Sequence, residues 1–183
     1  MSAVRPEPMP VAGTSAAHPV QALGGLDIML RIMDGRLPPP AFAELLGFRP
    51  VEFTAGRAVF LAASDTRMYN PMGFVHGGYI STLLDTCMAC AVHTRLKAGS
   101  TYTTLELSVK FVRSISMKTG EIRAEGETLH VGRQTASAQG HLTDPRASCL
   151  PTPRQRVWCS PHHGAKTAVP NFVMYLSTEN INA

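Results

Sequence analysis

The chain has 183 residues, 44% of them hydrophobic and 16% charged, with a formal net charge of +4. This length suits one domain with a sizeable core, and a mild basic excess without a Lys/Arg run interleaved with aromatics argues against nucleic acid as a partner. No apolar run approaches the roughly 18 residues that a membrane span needs, and the N-terminus lacks an apolar signal core, so a reduced cytoplasmic setting is expected.

In chain order, residues 1–24 open with a low-complexity stretch of Ala, Pro, Ser and Gly and are expected to be disordered. Over 25–37, Leu26, Met29, Leu30 and Met33 recur at helical spacing, which predicts a short amphipathic helix. Pro38-Pro39-Pro40 stops it, and 41–46 predicts another helical turn before Gly47. Segments 48–53 and 57–63 read as two strands joined around Ala55-Gly56. A loop over 64–75 leads into a helix predicted from Gly77 to about Lys97. Ile80, Leu83, Leu84, Cys87, Met88, Ala91 and Val92 cover most of its circumference, so a sheet or a partner must bury it. Three β-rich runs follow. In 102–112, Leu105, Leu107, Val109 and Phe111 share one face, and Glu106, Ser108 and Lys110 the other. Segments 121–130 and 134–142 flank a turn at Val131-Gly132-Arg133. The order predicts an α+β fold over 25–144, with one antiparallel sheet wrapped around a long central helix.

The four cysteines do not make a disulfide framework. Cys87-Met-Ala-Cys90 has redox spacing, but it lies inside the apolar helix and not at its start, where a thiolate would be stabilised. Buried apolar thiols are therefore expected. Cys159 with His162 and His163 lacks further ligands at a recognisable zinc spacing. No metal and no cofactor are expected.

The chemistry concentrates in Asn70-Pro-Met-Gly73-Phe-Val-His76-Gly77-Gly78, followed by Asp85 nine residues after the histidine. A helix start presents free backbone N–H groups and a positive dipole end, which suits a developing negative charge. A carboxylate within an apolar helix is costly unless something uses it. Together they suggest an oxyanion site and a general base or nucleophile. Hydrolysis of an activated carbonyl needs little more than these two parts. Taken singly, each residue has an ordinary structural explanation: Asn70-Pro71 starts turns, His76-Gly77-Gly78 can simply enter a helix, Thr104 suits a strand, and Arg113 and Arg133 can be solvated. The joint spacing carries the functional reading.

These residues resemble the hotdog-fold thioesterases of the phenylacetate-degradation (PaaI) type, which hydrolyse acyl-coenzyme A thioesters. The shared pattern runs from Asn70-x-x-Gly73-x-x-His76-Gly77-Gly78 through Leu83-Leu84-Asp85 and the 103–113 strand to His130-Val131-Gly132-Arg133, within residues 45–144. The resemblance implies that Asp85 activates water or attacks the thioester, and that the Gly77 N–H polarises its carbonyl. It implies that Asn70 orients the thioester or the water, that His76 shapes the turn, and that Thr104 positions water beside the acid. Gly78, Arg113 and Arg133 would bind substrate, the arginines at the coenzyme's phosphates. Met68, Tyr69, Met72, Phe74, Tyr79 and Met88 would line the acyl pocket. It further implies a homo-oligomer, a dimer or a dimer of dimers, in which Asp85 and Thr104 face Asn70 and Gly77 of the partner subunit. The alternative is a non-catalytic hotdog module that binds acyl-CoA or serves in assembly. A hydratase or dehydratase on the same fold fits less well, because those enzymes usually place their catalytic histidine differently.

The pattern breaks after Asp144. Where the family continues with a glycine turn and one more apolar strand, Pro145, Pro151 and Pro153 with Arg146, Arg154 and Arg156 make a poor central strand. Three readings stay open for this divergent tail, residues 145–183. Phe172-Val-Met-Tyr-Leu176 fills the slot by a detour, 157–160 is a stub of the strand, or the tail comes from a shifted reading frame.

Overall fold

The computed structural model describes residues 22–111 and 113–144, and the backbone of Met174–Asn180. The expectations for residues 1–21, for Cys149, Cys159, His162 and His163, and for a strand stub at 157–160 lie outside the described residues.

Helix α1 (Gly25–Met33) ends four residues earlier than its apolar pattern suggests. Asp34 takes over there, its carboxylate accepting from Arg36 N–H, and Gly35 adopts a left-handed φ of 79°. Helix α2 (Ala41–Leu46) follows the proline run and stops at left-handed Gly47. Strands β1 (Phe48–Thr54) and β2 (Arg57–Ala63) form the expected hairpin.

Helix α3 (Gly77–His93) is the centre of the molecule. Its seven predicted apolar positions, Ile80 to Val92, are all buried, and a fully buried Leu or Met side chain contributes about 1.5–3 kcal/mol. The helix stops short of Lys97 because Thr94 ties off its end. The Thr94 hydroxyl donates to Ala91 O and accepts from Gly56 N–H in the β1–β2 turn. Beyond it, Arg95 and Leu96 bond three residues back, a tighter turn than the α-helix.

Strands β3 (Ser100–Leu107), β4 (Glu121–Val131), β5 (Thr135–Thr143) and β6 (Met174–Asn180) complete an antiparallel sheet ordered β1-β2-β4-β5-β6-β3. The slot inside the sheet is occupied by β6, which pairs with β5 through Ala138↔Met174 and with β3 through Thr103↔Ser177. Met174, Tyr175 and Leu176 of the expected detour segment belong to this strand, which runs on to Asn180, while Phe172 and Val173 lie outside the described residues. Strand β6 gives β3 and β5 the backbone partners that an empty slot would have denied them.

Packing of α3 on the sheet depends on absent side chains. Gly126 and Gly140 sit opposite each other on β4 and β5. A Cβ on Gly126 would lie 2.5 Å from Cys87 O, and one on Gly140 would lie 2.9 Å from Met88 Cγ. The helix backbone thus rests directly on the strand. On the other sheet face, Arg57 pairs with Glu52 and Glu125, and Arg123 with Glu125, above a fully buried Val59.

One expectation about β3 fails. Leu105 does not join the apolar face; it is 60% exposed. The β3–β6 register shifts between Thr104 and Glu106, so Leu105 is the extra residue of a bulge. A bulge reverses the alternation that follows it. Tyr102 therefore faces the core before it, and Leu107, Val109 and Phe111 pack on the core after it.

Candidate active site

The loop before α3 is built by Asn70. Its N–H donates to Phe74 O (2.8 Å) and its carbonyl accepts from Gly73 N–H (3.0 Å), with Gly73 at a φ of 81°. Its side-chain Oδ1 accepts from Met72 N–H (3.0 Å) and Phe74 N–H (3.1 Å). Asparagine suits such a turn because its short carbonyl can replace a backbone acceptor. His76 N–H donates to Met68 O (2.7 Å) and Val75 N–H to Ile115 O (2.9 Å), which anchors the loop on both sides.

His76 is the N-cap of α3. Its Nδ1 accepts from Gly78 N–H at 2.9 Å. The neutral ring therefore carries its proton on Nε2. Asn70 is constrained likewise: both donors to it are N–H groups, so the accepting atom is oxygen and the Nδ2 group is left as donor. Gly77 N–H, the first of the helix, has no acceptor among the described residues. The side-chain acceptors Asn70 Oδ1 and His76 Nδ1 are thus occupied, while Asn70 Nδ2–H, His76 Nε2–H and Gly77 N–H have no acceptor among the described residues.

Asp85 lies half-buried on α3, and Thr104 Oγ1 donates to its Oδ1 at 2.9 Å. Oδ2 has no protein donor among the described residues. The bulge makes this contact possible: an unbroken strand would point Thr104 away from the face that Leu107 and Phe111 share. Burial, and next the charge of Asp85, push the Cys90 thiol up to about 12. Burial raises the Tyr102 phenol, with Cys90 and Asp85 adding to it, and burial alone lowers His93. Cys87 is raised as well, first by burial, and its thiol donates to Ala58 O. Cys87 and Cys90 are both free cysteines. Among the described residues no cluster suits a metal ion, and no helix is long and apolar enough to cross a membrane.

The remaining expected residues scatter. The Arg113 guanidinium pairs with the buried carboxylate of Asp144, a partner that the sequence reading missed because a lone Asp after a strand carries no signal. Arg133 is exposed in the β4–β5 turn. Met88 packs against the sheet at Gly140, Tyr79 OH donates to Leu46 O, and Met72 is 75% exposed.

Residues 72–147 match the family model described as Thioesterase superfamily. ComA2 of Bacillus subtilis, an esterase by name, is 34% identical over 101 residues, which cover 55% of this chain and 79% of the relative. The chain belongs to the thioesterase superfamily. The proofreading thioesterase EntH of Cronobacter sakazakii is 32% identical over 71 residues, 39% of this chain and 50% of that one. In fold, this thioesterase-superfamily chain superposes on the PaaI protein of the E. coli phenylacetic acid degradation operon with a TM-score of 0.60 at 18% identity. The match covers 84% of this chain and 92% of that one. It shares the hotdog fold of that protein, and the superfamily supports thioester hydrolysis as its general chemistry.

Proposed function

We propose that this superfamily member hydrolyses acyl-CoA thioesters to free acid and coenzyme A. One observation carries the reading: the two halves of the required chemistry sit on one helix, donors at its start and a Thr-bonded carboxylate at Asp85. Eight residues separate Gly77 from Asp85, about 12 Å along an α-helix. A thioester carbonyl is far smaller than that gap. One chain cannot bring both groups to the same carbon, so the reading requires a second copy whose α3 runs antiparallel. Strand β3, which carries Thr104, is one of the two edge strands of the sheet, β1 being the other, and supports a partner of this kind.

In that assembly the thioester oxygen accepts from Gly77 N–H and Asn70 Nδ2–H of one subunit. Asp85 of the other, oriented by Thr104, takes a proton from water as the water oxygen adds to the carbonyl carbon. The tetrahedral intermediate collapses, the C–S bond breaks, and the thiolate leaves and is protonated. The Oδ2 of Asp85 equally suits direct attack on the thioester carbon with loss of the thiolate, forming an acyl-enzyme anhydride that water then opens at the Asp85 carbonyl, releasing the free acid. Single turnover in heavy-oxygen water separates the two routes, since only the second labels Asp85. Arg113 and Arg133 remain candidates for the coenzyme phosphates, Arg113 with one edge of its guanidinium committed to Asp144.

The test is thiol release from a panel of short, medium, long and aryl acyl-CoAs. Release by the wild type, with loss in Asp85→Asn, supports the enzyme. Acyl-CoA binding without release identifies the non-catalytic module instead. Sedimentation showing only monomer at micromolar concentration overturns the shared site.

A further inference from the structure

Gly77 and Gly78 both have ordinary helical backbones, so conformational freedom does not account for the pair. Space does. A Cβ on Gly78 would lie 3.0 Å from Nδ1 of His76, the ring that caps the helix. A Cβ on Gly77 would lie 3.2 Å from Cζ, 3.4 Å from Cε1 and 3.8 Å from Cε2 of Phe111. The tip of the Phe111 ring thus lies against the site where a side chain at Gly77 would stand. The first turn of α3 is held between two rings, an imidazole that caps it and a phenyl that covers it.

Phe111 reaches this place because of the bulge at Leu105, which returns the residues beyond it to the core face. Its ring is apolar and half-buried. An apolar neighbour beside an N–H donor excludes water, and a donor in a drier site acts more strongly on a developing charge. A ring seated against the helix start also limits how far the Gly77 N–H can swing. A donor that moves little has little reorganisation to undergo in the transition state.

We propose that Phe111 is a positioning residue, one that fixes the Gly77 N–H and dries its surroundings without touching the reacting atoms. The role rests on the reading of Gly77 as oxyanion donor, so its test needs a readout that does not depend on activity.

Two measurements serve. In isotopically labelled protein, Phe111→Leu removes the ring current, so the Gly77 amide proton resonance shifts and its hydrogen exchange accelerates. In thiol-release kinetics, the same variant lowers kcat by about 10- to 100-fold and leaves KM nearly unchanged. Gly77→Ala lowers kcat in the wild-type background but adds little in Phe111→Leu, because the collision it creates is already gone. Additive losses in that cycle, or an unmoved Gly77 amide, overturn the proposal. If the wild type releases no thiol, the hydrolase reading fails by itself and the amide measurement alone decides the role of Phe111. Should Phe111→Leu not fold, Phe111→Met carries the same experiments, since it keeps a similar volume without the ring.

Discussion

The two working regions of α3 are built in opposite ways. At its start, the side-chain hydrogen bonds that shape the donor loop span a few residues, Asn70 to Met72 and Phe74 and His76 to Gly78, while Val75 N–H to Ile115 O and the Phe111 ring tie the loop to distant segments. At Asp85, the contact that orients the carboxylate crosses 19 residues to Thr104, on a strand that must first be bulged. The turn and cap at the donor end are a local motif written in nine consecutive residues, docked by distant ones. The acid end exists only after the sheet has closed around the helix. On the proposed reading, the oxyanion donors rest mainly on short-range hydrogen bonds, and the base depends on the whole fold.

Breaking the acid end gives the largest expected effect. Asp85→Asn keeps the shape and an acceptor for the Thr104 hydroxyl but removes the carboxylate proposed as base or nucleophile, and should lower kcat for thiol release by about 10²–10⁴-fold. Circular dichroism should stay unchanged. Asn70→Asp tests the donor end more sharply than alanine does. The new carboxylate still accepts from Met72 and Phe74 N–H, so the loop persists, while the Nδ2 donor is lost. A fall of about 10²–10³-fold with an intact melting transition is expected; an unchanged rate would show that Asn70 only builds the turn.

Thr104→Val is milder. It deletes one hydrogen bond to a charged group, worth about 1.5–3 kcal/mol, and should cost roughly 10- to 100-fold in kcat, with Thr104→Ser largely restoring it. The smallest expected effect on rate lies on the far face of the sheet. Burial opposes ionisation of Glu125, but hydrogen bonds from Arg123 and Arg57 outweigh it and hold the carboxyl at about 2, below the ordinary 4.5. A carboxyl depressed on folding stabilises above its unfolded value and loses that contribution as pH falls through its folded value. Glu125→Gln should therefore leave thiol release unchanged and lower the urea midpoint at neutral pH. The two stability curves should converge between about pH 4.5 and 2.

The legibility of the sequence follows the same division. The helix boundary at Gly77, the hairpin at Ala55-Gly56 and the apolar circumference of α3 could be read because each depends on neighbours within a few positions. The end of α3 at His93 could not, because Thr94 is fixed by Gly56, 38 residues earlier. Strict alternation places Leu105 on one face with Leu107, Val109 and Phe111, and the bulge that expels it arises from pairing with β6, more than 60 residues later in the chain. Asp144 as the partner of Arg113, and the exchange of a nearby last strand for Met174–Asn180, were invisible or undecided for the same reason.

By itself the sequence determined the elements of the sheet and helix, the donor loop from Asn70 to Gly78, and the presence of one acid on an apolar helix. Hydrogen bonds between close neighbours and side-chain periodicity fix all three. Only the tertiary structure decided that Thr104 turns toward Asp85, that β6 fills the slot beside β3, and that Phe111 lies against Gly77. Those outcomes depend on strand register, and register is set by packing between segments far apart in the chain.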